Sequence, residues 1–552
     1  MSARRRAVLA ALRAVATECQ ALAASFSDEQ ASEVMSTTDE LRALFQRPAS
    51  TSLAVPELAA HPPELLSVVP PELLAIILSR LGTRDLACLA ATCHSLWCDV
   101  PTPQSIPPPG QVETELLPLG LVETELRQRA EARGLHIGSS LPDGALSWVP
   151  FLLKRDFYNA LRWEAPLAVG HRHSILVDRQ GRLHLACRRA EIKAGEIGEP
   201  LVGHFCDSAS NASTIYTPPT LVPSMQDKRI VSVATGGGFC LALSAVGEVY
   251  SWGDGADGVL SHADGSAGTG PWRIEMLDGV ESIAAGQSTS AAVDDRGRLF
   301  TWGLATSSGQ RPAGLGYEID HPGTGCQVTP KRVDTLSPHR VVGVAVGLAF
   351  TLAVTDAGVV FSFGHSRYGA LGHDSMESEV LPRRIEALAE TGLQFVAVAA
   401  GNLHALALTD KGEVYGWGDS EANGLGQAQR TPKLVAKLAG KHVKLVYAQD
   451  NASCAVTEKG ELYTWGGSTS YSCCNLCHGV ATPQQTPKRV ETLRHVKVTA
   501  VAICGIHTIV ADAYGAAWGF GERSNFGVAA TPPGGGVAQP TLIPNVRVRT
   551  LP

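Results

Sequence analysis

The cluster Cys473-Cys474-Asn475-Leu476-Cys477-His478 sets three thiols and an imidazole within six residues, close to zinc-ligand spacing. No second pair stands at a usual distance, so the preferred reading is incidental loop cysteines. His173, His404 and His507 are a second constellation, which by residue type alone resembles a metal triad. The runs Gly236-Gly237-Gly238 and Gly534-Gly535-Gly536 are candidate phosphate cradles, but neither has a Lys-Ser/Thr partner or a following helix. No Gly-x-Ser-x-Gly element places a nucleophile, and no carboxylate pair stands out. These residues predict no catalysis and require no cofactor or metal. Binding is the class of function that remains.

The elements that carry these residues repeat. One frame recurs seven times, and its best copy is AAGNLHALALTDKGEVYGWG, residues 399–418. Its opening position falls at Gly170, Gly236, Gly286, Gly347, Gly401, Gln449 and Cys504. Eleven residues later stand Gly181, Gly247, Gly297, Gly358, Gly412, Gly460 and Gly515. With 56 glycines in 552 residues, about one in ten, seven at one offset cannot be chance. Sixteen residues after the opening stand Ala186, Trp252, Trp302, Phe363, Trp417, Trp465 and Phe520, and glycine follows all but the first.

Each copy has a readable physics. Ala405–Leu408 is small and apolar throughout, as suits an inner strand buried on both faces. Thr409-Asp410-Lys411-Gly412 is a three-residue hairpin loop ending in glycine, which takes a left-handed conformation without a Cβ penalty. Glu413–Trp417 alternates polar and apolar residues, as a half-buried strand does. The aromatic at offset sixteen fills the gap between neighbouring sheets. The three histidines all stand three residues after an opening position, in copies one, five and seven. Repeated placement predicts a structural hydrogen bond each time. Copies one, six and seven depart most and are expected to be the least regular.

A proline and a short strand open each unit, as at Pro219, Pro330, Pro382, Pro432 and Pro487. Proline belongs at a strand's first residue or on an edge, since it removes a donor. The same signal at Pro540-Thr541-Leu542-Ile543 precedes no frame, while the frame at Gly170 has no such strand before it. The C-terminal residues, about Pro540 to Arg549, are therefore expected to complete the sheet begun at Ala168 and leave no exposed edge.

The pattern resembles the regulator-of-chromosome-condensation repeat family, which implies a seven-bladed β-propeller over about residues 166–552. WD-type repeats lack this period, and kelch repeats lack the glycine at offset eleven. Some members of the family act as nucleotide-exchange or chromatin factors, binding a small GTPase or histones. A plant UV-B photoreceptor shares the propeller but clusters tryptophans just after the opening position. Those places hold His171, Gly237, Gln287, Leu348, Asn402, Asp450 and Gly505 here, which disfavours that photochemistry.

Upstream, residues 65–100 read as two short helices. Pro70 and Pro71 favour a helix start, and Leu73, Leu74, Ile77, Leu78 and Leu81 give one apolar face. Gly82 ends that helix, and Leu86, Leu89, Cys93 and Leu96 or Trp97 recur along the next. The order Pro71-Glu72-Leu73-Leu74, Ile77-Leu78, Leu81, Asp85-Leu86, Leu89, Cys93–Trp97 resembles an F-box, with Thr92 and His94 as departures. That resemblance implies docking on a Skp-type adaptor of a cullin–RING ubiquitin ligase through Pro71, Leu73, Leu74, Ile77, Leu78, Leu81, Leu86, Leu89 and Trp97. Residues 148–165, with Trp148 and Leu152–Phe157, resemble the segment that closes such modules. Residues 101–147 are a Pro-rich spacer with short helices, including the doubled VETEL at Val112 and Val122. Residues 1–64 read as amphipathic helices of no assigned role. Their Arg-rich start has a transit-peptide composition, but an ordinary packed helix is preferred.

The fold class is mainly β, a seven-bladed propeller preceded by a small all-α F-box-like module. A formal charge of −7 with no basic tract disfavours nucleic acid. No apolar run approaches a membrane span. Thirteen cysteines, an odd and unpatterned set, point to free thiols and a reducing compartment, cytoplasmic and/or nuclear. The expected function is substrate receptor of an SCF-type ligase, with the propeller holding an unidentified protein client. The alternative is a nucleotide-exchange or chromatin-binding factor.

Overall fold

The computed structural model describes residues 165–549, apart from residues 171–172, 191–213, 256, 262–267, 305, 308–310, 313, 319–324, 468–475, 479–482 and 522–536. The F-box-like module, the spacer and the segment after it lie outside the described residues, as do Cys473, Cys474 and the second glycine run.

Seven four-stranded antiparallel sheets follow one another along the chain, each a meander of consecutive strands. Blade five shows the plan, with strands Phe395–Ala400, His404–Thr409, Val414–Gly418 and Gln429–Leu434. Its second strand is buried at every residue, because neighbouring blades cover both of its faces. After the outer strand, short helical turns such as Asp334–Leu336, Ala436–Leu438 and Glu491–Leu493 each bury one leucine under the blade.

The hairpin after the second strand is built alike seven times. In blade five Gly412 N–H donates to Thr409 O and Thr409 N–H to Glu413 O, enclosing three residues. All seven glycines at this offset have φ between 72° and 84°. A Cβ on Gly412 would lie 2.8 Å from Val443 N of the next blade, so crowding adds to the backbone demand. The residue eight after the opening is an acceptor in every copy. The side chains of Asp178, Ser244, Asp294, Thr355, Thr409, Thr457 and Asp512 each take the N–H four residues on. A shared job done by three residue types leaves no single-letter signature.

The proline-led strands are not the openings of the units they precede. Gln429–Leu434 pairs with Val414–Gly418 of its own blade, and Val537–Arg547 pairs with Ala516–Gly521 of blade seven. Pro540–Arg547 therefore completes blade seven, not the sheet begun at Ala168. Periodicity fixes a repeat's length but not its phase, and a meander keeps each sheet within one stretch of chain.

The next two residues do complete blade one. Val548 bridges Asp178, as Val443 pairs with Thr457 and Val498 with Asp512 in their blades. Its N–H donates to Gly515 O, while Arg179 N–H donates to Arg547 O and Arg549 N–H to Val177 O. Val498 N–H donates to Gly460 O in the same manner. The chain's end thus supplies the inner-strand residues that blade one lacks. Blade six, expected to be irregular, matches blade five in register. Blades one and seven depart as expected, the first by borrowing inner-strand residues and the second by an outer pairing that slips twice, and blade three adds the hairpin Thr306–Ser307 with Arg311–Pro312.

Candidate functional site

The innermost strands enclose a cavity of about 350 Å³ on the propeller axis, within the range of small-ligand pockets. Its wall is mostly small: Ala234, Ala284, Ala399 and Ala448, with Gly236, Gly286, Gly347 and Gly401. The glycines let blade backbones meet. A Cβ on Gly286 would stand 2.3 Å from Gly347 O, and one on Gly347 would stand 2.6 Å from Gly401 O. Gly236 and Gly237 of the first glycine run belong to this ring and to no phosphate cradle.

Polar groups enter from one end of the channel, through Gln287, Asn402, Gln449 and Asp450. Asp450 has φ 52° and takes the Gly505 N–H at 2.9 Å, tying blade six to blade seven across the mouth. Tyr447 donates its hydroxyl to Gln449 Oε1, and burial raises its pKa. Asp254, Asp419 and Glu421 lie on loops of the same face. Burial and the Asp419 charge push the Glu421 carboxyl up. Among the described residues this face carries Asp254, Asp419, Glu421 and Asp450, with Arg367 in the corresponding loop of blade four.

The histidine triad of the sequence is dispersed among blade junctions. His173 Nε2 lies 3.3 Å from Cys240 Sγ of blade two. His404 Nε2 lies 2.7 Å from Ser453 Oγ of blade six, and His507 Nε2 lies 2.7 Å from Ser174 Oγ of blade one. Each histidine holds one blade to the next. Burial drives the His404 pKa down to about 3, so it is neutral. Among the described residues no group of His, Cys, Asp and Glu is placed to hold a metal ion. Cys477 lies 3.3 Å from Thr492 Oγ1 and His478 Nε2 lies 3.0 Å from Thr464 Oγ1, so both are used locally. Cys240, Cys326, Cys454, Cys477 and Cys504 form no disulfide.

The offset-sixteen aromatics do more than fill space. Trp302, Trp417 and Trp465 donate their indole N–H to Val259 O, Ala370 O and Ala422 O in the preceding blade. Phe363 and Phe520 take the same place, fully buried. The hydroxyl four residues after the opening serves the same carbonyl, Ser290 to Val259 O, Thr351 to Gly314 O and Ser453 to Ala422 O, so in the Phe363 blade Thr351 supplies the donor by itself. Trp252, also buried, has no acceptor among the described residues.

On the opposite, hairpin face the inner-strand bulges had no sequence signature. In six blades the first strand carries a bulge five residues before the opening position, at Val231, Glu281, Val342, Val396, Lys444 and Thr499. A bulge re-aims a side chain, here near the hairpin end of the inner strand. The residue seven before the next opening adjoins it across the junction. Glu281 of blade three and Arg340 of blade four form such an ion pair at 4.0 Å.

With blades, hairpins and closure placed, the comparisons with known proteins are decisive. The profile of the RCC1-like domain matches residues 150–510. This chain belongs to the RCC1-like domain family. The RCC1-like region is 38% identical over 301 residues to the human E3 ubiquitin-protein ligase HERC2, covering 53% of this chain and 6% of that protein. It is 32% identical over 210 residues to the Arabidopsis thaliana ultraviolet-B receptor UVR8, covering 38% of this chain and 45% of the receptor. The chain thus spans less than half the length of either relative. The crystal structure of Saccharomyces cerevisiae Prp20p, described with its binding to Gsp1p and histones, superposes with TM-score 0.54 at 22% identity. It covers 74% of this chain and 91% of Prp20p, a likeness of fold.

Proposed function

We propose that this RCC1-like protein is the substrate receptor of an SCF-type cullin–RING ubiquitin ligase. The observation that carries the reading is the F-box-like order of residues 71–97 ahead of an RCC1-like propeller. Leu73, Leu74, Ile77 and Leu78 dock on the Skp-type adaptor, each worth roughly 1.5–3 kcal/mol when fully buried. The propeller presents the client, and the transfer chemistry belongs to other subunits, in cytoplasm and/or nucleus. Similarity to HERC2, itself named an E3 ubiquitin-protein ligase, supports an RCC1-like propeller in this setting.

A second reading has its own support. The carboxylates Asp419, Glu421 and Asp450 at the mouth suit a basic protein segment, and Prp20p is described as binding Gsp1p and histones. On that reading the propeller is a nucleotide-exchange or chromatin-binding factor. Affinity purification separates the two. Wild type recovers the adaptor and cullin, and Leu74→Asp with Ile77→Asp does not. Recovery of a nucleotide-free small GTPase or of histones by both forms, without the adaptor, refutes the ligase reading.

A further inference from the structure

Each inner strand is the edge strand of its sheet, so every second N–H and C=O along it faces the propeller axis. In blade two these groups are already engaged from within the channel. Val233 N–H donates to Ala165 O at 3.0 Å, and Ala165 N–H donates to Ser232 Oγ at 3.4 Å. The wall thus holds the polar groups of one residue of the entering chain. Ile283, Val344 and Val398 take the place of Val233 in blades three, four and five, and all three line the cavity. The register repeats, with Val233 opposite Ala242, Ile283 opposite Ala292, Val344 opposite Ala353 and Val398 opposite Ala407. Their N–H groups therefore face the cavity in the same way.

Blade six departs from the others where it meets the axis. Six blades have alanine two residues before the opening position, as at Ala284 and Ala399, and blade six has Tyr447. At the opening itself glycine is required wherever a ring follows three residues on. A Cβ on Gly236, Gly347 or Gly401 would lie 2.1–2.3 Å from a ring carbon of Phe239, Phe350 or His404. Blade six has Ala452 in the ring's place, which makes room for Gln449. Tyr447 donates its hydroxyl to Gln449 Oε1 at 3.0 Å, and both residues line the cavity. Among the described residues the Gln449 amide nitrogen and the side-chain amides of Gln287 and Asn402, at the mouth of the same cavity, have no other partner.

These groups select a ligand class. Among the described residues lining the cavity there is no lysine, arginine or histidine, and the one carboxylate, Asp450, already takes the Gly505 N–H. An anionic ligand finds no counter-charge there. A purely apolar one would cut the strand edges and carboxamides off from water. An amide sets a donor beside an acceptor, the complement of both a carboxamide and a free strand edge. Alanine and glycine walls leave space for small side groups. We propose that the axial cavity binds a small uncharged amide, the size of a capped dipeptide, along the free edges of blades three to five with its outer end on Asn402 and Gln449. The site does not depend on adaptor docking.

The test is isothermal titration calorimetry of the full chain with N-acetyl-alanyl-alanine amide. Alanyl-alanine with free, charged ends and glucose are the comparison probes. Saturable binding of the capped dipeptide is expected, with no measurable binding of either comparison probe. Ala284→Tyr gives blade three the side chain that blade six carries at the same offset, and it abolishes binding by filling the cavity. Asn402→Ala removes one carboxamide and weakens binding about two- to tenfold at an unchanged melting temperature, as loss of one neutral hydrogen bond does. Lys433→Ala, on the outer strand of blade five, leaves binding unchanged. The proposal is overturned if the capped dipeptide does not bind, if the charged dipeptide or glucose binds as tightly, or if binding is undiminished in both Ala284→Tyr and Asn402→Ala. If Ala284→Tyr fails to fold, Asn402→Ala decides alone.

Discussion

Truncation after Gln539 is the sharpest test of how the ring closes. It removes Pro540–Arg547 from blade seven and Val548 and Arg549 from blade one. Ile543, Val546 and Val548 are at most 5% exposed and pack with Leu167, Val169 and Ile509. Three aliphatic side chains at roughly 1.5–3 kcal/mol each amount to about 5–9 kcal/mol. That is comparable to the whole stability of a typical domain, about 5–15 kcal/mol. The propeller lies within Leu161–Pro552. At about 2.1 cal/mol/K per residue its unfolding entropy is near 0.8 kcal/mol/K, so the melting temperature should fall by about 6–11 °C. Differential scanning calorimetry reads that shift, and hydrogen exchange locates it. Ala516–Gly521 should lose protection first, as the strand stripped of its partner, with His173–Val177 following. An unchanged melt, or loss confined to blade one, would refute the assignment of Pro540–Arg547 to blade seven.

Other consequences are more local. Gly412→Ala meets both φ 76° and Val443 N at 2.8 Å, so it should destabilise by roughly 2–4 kcal/mol. Gly392→Ala, at φ 66° with nothing within 4 Å, should cost about 1 kcal/mol, both read by urea titration. His404 has a folded pKa near 3, below its unfolded value, so stability present above pH 6.5 is lost as pH falls toward 3. His404→Phe, the residue found at the equivalent positions 239 and 350, should flatten that limb of a stability–pH profile. Trp417→Phe strands the buried Ala370 carbonyl and should cost about 1–3 kcal/mol, although phenylalanine serves at position 363 because Thr351 supplies the donor there.

What the sequence disclosed was set by how narrowly each position is constrained. At offset eleven only glycine answers both a left-handed φ and a neighbouring strand, so all seven copies carry the same letter. The offset-sixteen aromatics were legible as fillers, but their indole bonds were not, because the acceptors lie in loops of variable length in the preceding blade. The acceptor at offset eight escaped notice because Asp, Ser and Thr all perform it. The bulge left no trace at all. It is a backbone device, and Val231, Glu281, Val342, Val396, Lys444 and Thr499 share no side-chain property. The phase of the proline-led strands was misread for a related reason: a repeating string has no marked beginning, and only pairing shows which strand owns which.

The same logic locates function within the ring. Positions that every blade needs are filled alike and report the fold. A position that one blade fills against the local physics reports something else, because the fold gains nothing from it. Tyr368 is such a case, with φ 56° and 43% exposure in a place where a non-glycine residue is strained. Seven near-equivalent blades thus act as internal controls for one another.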